Sequence, residues 1–269
     1  LLSLVSCLYT GLTIDKLTVR ILTGIYRGRV VGNTKPSCKA AWQGRLRLGF
    51  APLPYDEIAM LYRNVLLTPK DYASHFKNIL HRRLWVRSKT PRDGSNKCRC
   101  CGNVIEHIHH IADCEVIRPA FDHLLRLSKQ AKCNLTVTRE LLLLGVGEDN
   151  HLIPLGVASL LILLYKFIII RFTAVDLDNA KFNALDCWTG ACYRFITRVN
   201  ALVHKSFLES RKAAAASQPL PQFRTRNKYL APLAHISPQG RLEWAAGVFE
   251  LLMPASAPTS AAVTTGATL

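Results

Sequence analysis

The densest collection of groups able to do chemistry lies between Lys97 and Ile117, KCRCCGNVIEHIHHIADCEVI, which holds four of the chain's nine cysteines and three of its nine histidines. Cys98 and Cys101 form a C-x2-C pair, seven residues separate Cys101 from His109, and four more lead to Cys114. A zinc ion is held tetrahedrally by thiolate sulfur and imidazole nitrogen at about 2.0–2.3 Å, and two cysteines separated by two residues reach one ion from a single tight turn. Gly102, directly after the second cysteine, suits the curl of backbone around the metal. His109 and Cys114 are separated by slightly more than one helical turn. His110 gives an x3 spacing that serves nearly as well, and His107 is a third choice, so the identity of the histidine ligand stays open. The competing chemistry is a redox CxxC or a set of unpaired buried thiols. That alternative leaves the histidines unexplained, whereas a zinc site uses both halves of the motif and leaves Cys100 as a spare thiol pointing away from the ion.

Around this motif the chain is strongly basic, with a net charge of +17. Residues 1–100 carry 18 Lys and Arg against 5 Asp and Glu, so most of the excess precedes or enters the cysteine-rich stretch. Such asymmetry is the electrostatic footprint of a polyanion binder, with RNA or DNA as the expected partner. Arg82, Arg83, Arg87, Lys89, Arg92, Lys97 and Arg99 would present cations beside the metal loop. The bland counterpart is a basic surface that only aids solubility. An apolar content of 49% excludes a wholly disordered chain. The first residue is Leu rather than Met, which suggests a fragment of a longer polypeptide. Nine cysteines without a secretory signal favour a reducing, intracellular compartment, nuclear or cytoplasmic, over a disulfide scaffold.

The elements that must position the motif are mostly helical. Residues 1–50 read as a basic segment in which Trp42 sits among Arg27, Arg29, Lys35, Lys39, Arg45 and Arg47. Tyr55 to Leu66 shows an amphipathic period through Tyr55, Ile58, Tyr62 and Val65, and a second helix is expected from Asp71 to Val86. Residues 88–97 are turn chemistry. Pro119 sits where a helix can begin, with Phe121, Leu124 and Leu125 on its buried face as far as about Lys129. A short helix in 133–150 is stopped by glycines. The run Leu152 to Tyr165 is 14 residues, below the roughly 20 that a spanning helix needs. It therefore reads as a buried helix, although extending it to Ile170 gives a possible transmembrane span broken by Lys166. Asn179 to Phe207 is the longest amphipathic pattern, with Trp188, Cys192, Phe195 and Val199 on its stripe. Asp176, Asp178 and Asp186 are read as helix-capping or first-turn acids. Beyond Lys212 come a linker, the basic cluster RTRNK, a short helix at Leu242 to Met253 and a low-complexity tail. The expected organisation is thus 1–50, 51–132 with the knuckle, 133–212 as a helical domain, and 213–269 as linker and tail.

The segment CRCCGNVIEHIHHIADC, with HRRLWVRSKTPRDG before it, resembles the zinc-binding region near the C-terminus of LINE-type (non-LTR) retrotransposon reverse transcriptases. In that family a CxxCG is followed by an E-x-x-H-like turn and a final cysteine. The match covers about Leu84 to Leu127, and it places Cys98, Cys101, His109 and Cys114 at the family's ligand positions; the doubled histidines depart from the commoner pattern. The resemblance implies a zinc-containing, nucleic-acid-binding fragment of an RNA-directed DNA polymerase that copies its RNA into DNA at a nicked target. The polymerase chemistry would belong to regions this chain lacks. Two magnesium ions at a primer end need paired aspartates on a hairpin, and neither PYDE at 54–57 nor DLD at 176–178 has that setting. No phosphate-cradling glycine loop or Ser/His/Asp arrangement is present either, so no catalytic residue is assigned. The expected fold is mainly α, a helical domain built around a small CCHC zinc knuckle with little strand and a disordered C-terminal tail. The other function class is a zinc-stabilised protein-interaction module with no nucleic-acid role.

Overall fold

The computed structural model describes residues 58, 60–61, 64–75, 77–78, 84, 86–88, 94–148, 151–177, 181–216, 224–237 and 240–253. The chain divides between Arg47 and Leu48, and every described residue belongs to the second unit. The basic segment 1–50 with Trp42, the cations Arg82, Arg83, Lys89 and Arg92, and the tail from 254 lie outside the described residues.

Mostly helical as expected, the fold begins with Ile58, Met60 and Leu61 in a helix whose Ile58 and Leu61 are buried. Val65, expected on the same stripe, is exposed because the chain has already left the helix: the Asn64 carboxamide accepts from the Leu66 N–H at 3.0 Å and forms a turn. Helix α1, Pro69–His75, starts with a reciprocal cap in which Thr68 and Asp71 exchange backbone and side-chain hydrogen bonds. The one-turn α2, His110–Asp113, belongs to the cysteine-rich motif. Helix α3, Arg118–Gln130, has Pro119 in its first turn and buries Phe121, Leu124 and Leu127. Helix α4, Arg139–Leu144, is capped by the Thr138 hydroxyl, which accepts from the Leu141 N–H at 3.0 Å.

The core forms around α5, Leu155–Leu177, and α6, Ala184–Ala215, which pack along each other. Val157, Leu160, Leu161, Leu164, Tyr165, Ile168 and Phe172 of α5 and the Trp188, Ala191, Cys192, Phe195 and Val199 stripe of α6 are all buried. Burial of whole side chains of this size contributes about 1.5–3 kcal/mol each. At the crossing, a Cβ on Gly190 would lie 2.6 Å from the Phe167 ring, so glycine is what lets the two helices approach. Asn183 caps α6 by accepting from the Leu185 and Asp186 N–H groups.

Helix α5 is long and apolar enough to cross a membrane by length and composition, but 72% of its most apolar stretch is buried by the rest of the chain. Lys166 does not interrupt the packing, because its ammonium meets the fully buried Asp71 of α1 at 2.7 Å, with Arg194 of α6 3.5 Å from the same oxygen. Tyr165 ties three helices together through edge contacts to His75 at 5.3 Å and a tilted contact to Phe121 at 5.4 Å.

The C-terminal part differs from the expected single helix at 242–253. After α7, Arg224–Leu230, the strands β1, Ala234–Ile236, and β2, Leu242–Trp244, pair antiparallel with His235 opposite Glu243, and only Val248–Leu252 forms helix α8. Alternating burial along Ala234–Ile236 gives one face to the core and one to solvent, which a strand satisfies and a helix does not. RTRNK, read as a basic cluster in a linker, is the body of α7.

Candidate metal centre

The cysteine-rich stretch folds as a short hairpin followed by the one-turn α2. Lys97 and Ile105 form an antiparallel bridge, the Cys98 N–H donates to the Val104 carbonyl at 2.7 Å, and the Glu106 N–H donates to the Asn96 carbonyl at 2.9 Å. The hairpin reverses at Gly102, whose φ of 72° lies in the left-handed region that a side chain would strain, and the Gly102 N–H closes the turn on the Cys98 carbonyl at 2.8 Å. This turn brings Cys98 and Cys101 to one side. The chain then returns through α2, stabilised by the His107 ring, whose Nδ1 accepts from the His110 N–H at 3.1 Å.

Four donors converge as a result: Cys98, Cys101, His110 and Cys114 offer atoms that all lie within 4.8 Å of one another. The Cys98 and Cys114 sulfurs are 4.0 Å apart, and the Cys101 sulfur is 3.3 Å from His110 Nε2. Tetrahedral bonds of about 2.0–2.3 Å place donor atoms roughly 3.4–3.8 Å from each other, so this Cys3His cluster can hold a metal ion. Cys98 and Cys114 are buried, and Cys101 is half-buried. None of the described cysteines is disulfide-bonded, so the C-x2-C pair is not a closed redox bridge.

The electrostatics favour a cation at the same point. The Cys98 sulfur shares hydrogen bonds with the Cys100 and Cys114 thiols, which lowers the Cys98 pKa strongly. Cys100 and Cys114 are pushed far up, first by that hydrogen bond to Cys98 and then by burial. One negative sulfur thus excludes a second nearby, and a divalent cation at the centre is what permits several thiolates together. The Cys100 N–H also points to the Cys98 sulfur at 3.4 Å, a backbone donor placed to stabilise the thiolate. Cys100 contributes no donor atom to the convergent set, but its thiol hydrogen-bonds the Cys98 sulfur and so does not point away from the site as expected.

Two corrections follow for the expected site residues. His110, not His109, completes the cluster, giving C-x2-C-x8-H-x3-C. Consecutive residues of a helical turn point about 100° apart, and the start of α2 turns His110 toward the sulfurs while His109 packs its ring beside His107 at 5.8 Å. Arg99 and Arg87, expected as free cations, are structural. The Glu106 carboxylate, fully buried, accepts from the Arg99 guanidinium at 2.6 and 2.9 Å and from the Arg99 and Arg87 N–H groups at 2.8 Å each. Arg99 also meets Asp176 at 3.0 Å and lies 4.2 Å over the Phe172 ring, and Arg87 reaches Asp176 at 2.5 Å. With 1% of its side chain exposed, Arg99 cannot reach a phosphate backbone. Asp176 likewise corrects its reading as a capping acid, since it stands near the C-terminal end of α5 and fastens the knuckle to the helical core; Asp186 does sit in the first turn of α6. Of the seven proposed cations, Lys97 is the exposed one among the described residues. The charge clasp Arg99–Glu106–Asp176 escaped sequence reasoning because its members are separated by up to 77 positions.

No family model, curated protein or solved structure matches this chain.

Proposed function

We propose that this chain is a noncatalytic, zinc-containing nucleic-acid-binding module, akin to the C-terminal region of LINE-type reverse transcriptases that its motif resembles. The observation that carries the proposal is the convergence of three sulfurs and one imidazole nitrogen, a soft S3N donor set suited to zinc and closed against substrate. Cys98, Cys101, His110 and Cys114 would hold the ion, which supplies folding energy to a hairpin too small to have its own core. The net charge of +17 supports RNA or DNA as the polyanion. The test is metal content by elemental analysis together with oligonucleotide binding across a salt series. One zinc per chain and an affinity that falls steeply with salt support the proposal; an affinity indifferent to salt removes the nucleic-acid half.

A second reading, a zinc-stabilised protein-interaction module, has its own support. Val104 and Ile105, at the hairpin beside the metal, are 48% and 51% exposed, and two of the cations expected there are occupied by Glu106 and Asp176. Replacing Val104 and Ile105 by Ser without loss of oligonucleotide affinity, but with loss of a protein partner, would favour that reading.

A further inference from the structure

A cavity of about 270 Å³ lies where the turn after Asn64 meets α6 and α7, lined by Val65, Ala201, Leu202 and the three cations Arg198, Lys205 and Arg226. Its size is just below the roughly 300–1,000 Å³ common for small-molecule sites, room for a small anion rather than a drug-sized ligand. Helical spacing explains the cations from one wall. Arg194, Arg198, Lys205 and Lys212 fall within about 40° of arc at 3.6 residues per turn, so α6 carries a basic ridge, and the cavity opens against its middle. Arg194 is drawn aside by Asp71, 3.5 Å away. The other wall brings Arg226 of α7, whose guanidinium is held by Ser206 and Glu209 of α6.

Charge in this cavity is not balanced. Glu209 offsets Arg226, and none of the lining residues is acidic. Arg198 donates only a long bond, 3.4 Å, to the Val65 carbonyl, and its buried Nε has no hydrogen-bond acceptor among the described residues. Lys205 meets no carboxylate among the described residues. A buried donor without an acceptor is costly, and two cations facing one space repel. An oxyanion seated there relieves both. The guanidinium fork and the ammonium suit the multiple oxygens of a phosphate.

We propose that this cavity binds a phosphate group, whether from a polynucleotide backbone or from free polyphosphate, through Arg198 and Lys205 with Arg226 held in place by Glu209. In its polynucleotide form the proposal rests on the nucleic-acid reading above and moves the phosphate contact from the knuckle to α6. The test titrates the full chain with tripolyphosphate by calorimetry, and with a labelled single-stranded oligonucleotide by fluorescence polarisation. Arg198→Gln and Lys205→Gln are compared with Lys132→Gln and Arg241→Gln, exposed sites that lose the same charge. Each cavity variant is expected to weaken tripolyphosphate about tenfold, one charge-assisted hydrogen bond, and each control less than about twofold. Lys205 is exposed and makes no side-chain hydrogen bond or ion pair among the described residues, so its variant remains informative if Arg198→Gln disturbs the Val65 turn. Equal losses in all four variants, or no saturable tripolyphosphate binding, overturn the proposal. Oligonucleotide displaced by tripolyphosphate and weakened by the same two variants identifies the backbone as the source. Tripolyphosphate bound without any oligonucleotide binding supports the cavity while removing the nucleic-acid reading.

Discussion

The cysteine-rich hairpin and the α5–α6 pair are held by opposite chemistry. Between Asn96 and Cys114 only Ile108 and Ile111 are large aliphatic side chains buried in the core, and much of the order comes from sulfur, imidazole and a buried carboxylate clasp. Between α5 and α6 order comes from apolar area, with Tyr165, Phe172, Trp188 and Phe195 all within 1% of full burial. The hairpin therefore draws mainly on donor atoms and charge, whereas the helix pair draws mainly on apolar burial, with Lys166 and Arg194 meeting Asp71 at its flank. Arg99, stacked on Phe172 and bonded to Glu106 and Asp176, is the hinge between the two regimes.

Removing the metal ligands should break the contrast most sharply. Cys98→Ser with Cys101→Ser is expected to take bound zinc from one equivalent to none and to expose the amides of residues 96–114 to fast hydrogen exchange, while those of α5 and α6 stay protected. Exchange monitored by mass spectrometry decides it, and equal loss of protection in both regions would deny that they are independent.

Next in size is the clasp. Arg99→Ala leaves the Glu106 carboxylate buried with its cation gone and Asp176 with Arg87 alone, and breaking a buried pair in this way costs about 3–5 kcal/mol. A urea midpoint close to that of the unaltered chain would show that Arg99 is not the link between knuckle and core.

The helix side has a pH limit of its own. Burial lowers the His75 pKa to about 4, although the ring N–H donates to the Leu143 carbonyl at 2.9 Å. The folded state therefore keeps His75 neutral where the unfolded chain, near 6.5, takes up a proton. Its contribution is fully present above pH 6.5 and is lost as pH falls from 6.5 toward 4, on the order of 3 kcal/mol. Denaturation midpoints measured in the Cys98→Ser, Cys101→Ser background separate this from acid release of metal. A flat profile over that window contradicts the assignment.

The smallest effect is expected at the helix crossing. Gly190→Ala would drive a methyl group into the Phe167 ring, and overpacking of this kind costs about 1–3 kcal/mol without touching metal affinity. Thermal denaturation with parallel metal titration checks both parts.

The same contrast explains what could be read from the sequence. Local signals carried far: the C-x2-C pair with Cys114, Pro119 in the first turn of α3, and the Trp188–Val199 stripe of α6 each follow from spacing within one element. The choice between His109 and His110 did not, because adjacent residues differ only in direction, and the register of a single helical turn is set by the His107 cap. Arg87 and Arg99 looked like solvated cations since their acids, Glu106 and Asp176, come from a hairpin return and from the far end of a helix. The β1–β2 hairpin was hidden by strands of three residues, too short for a period of two to register.

X-ray absorption at the zinc edge tests the central assignment most directly, on the unaltered chain beside His109→Ala and His110→Ala variants. Three sulfurs at about 2.3 Å and one nitrogen at about 2.0–2.1 Å, with the nitrogen lost only in His110→Ala, is the expected result. A shell of oxygen and nitrogen alone, or a nitrogen lost in His109→Ala instead, would contradict it.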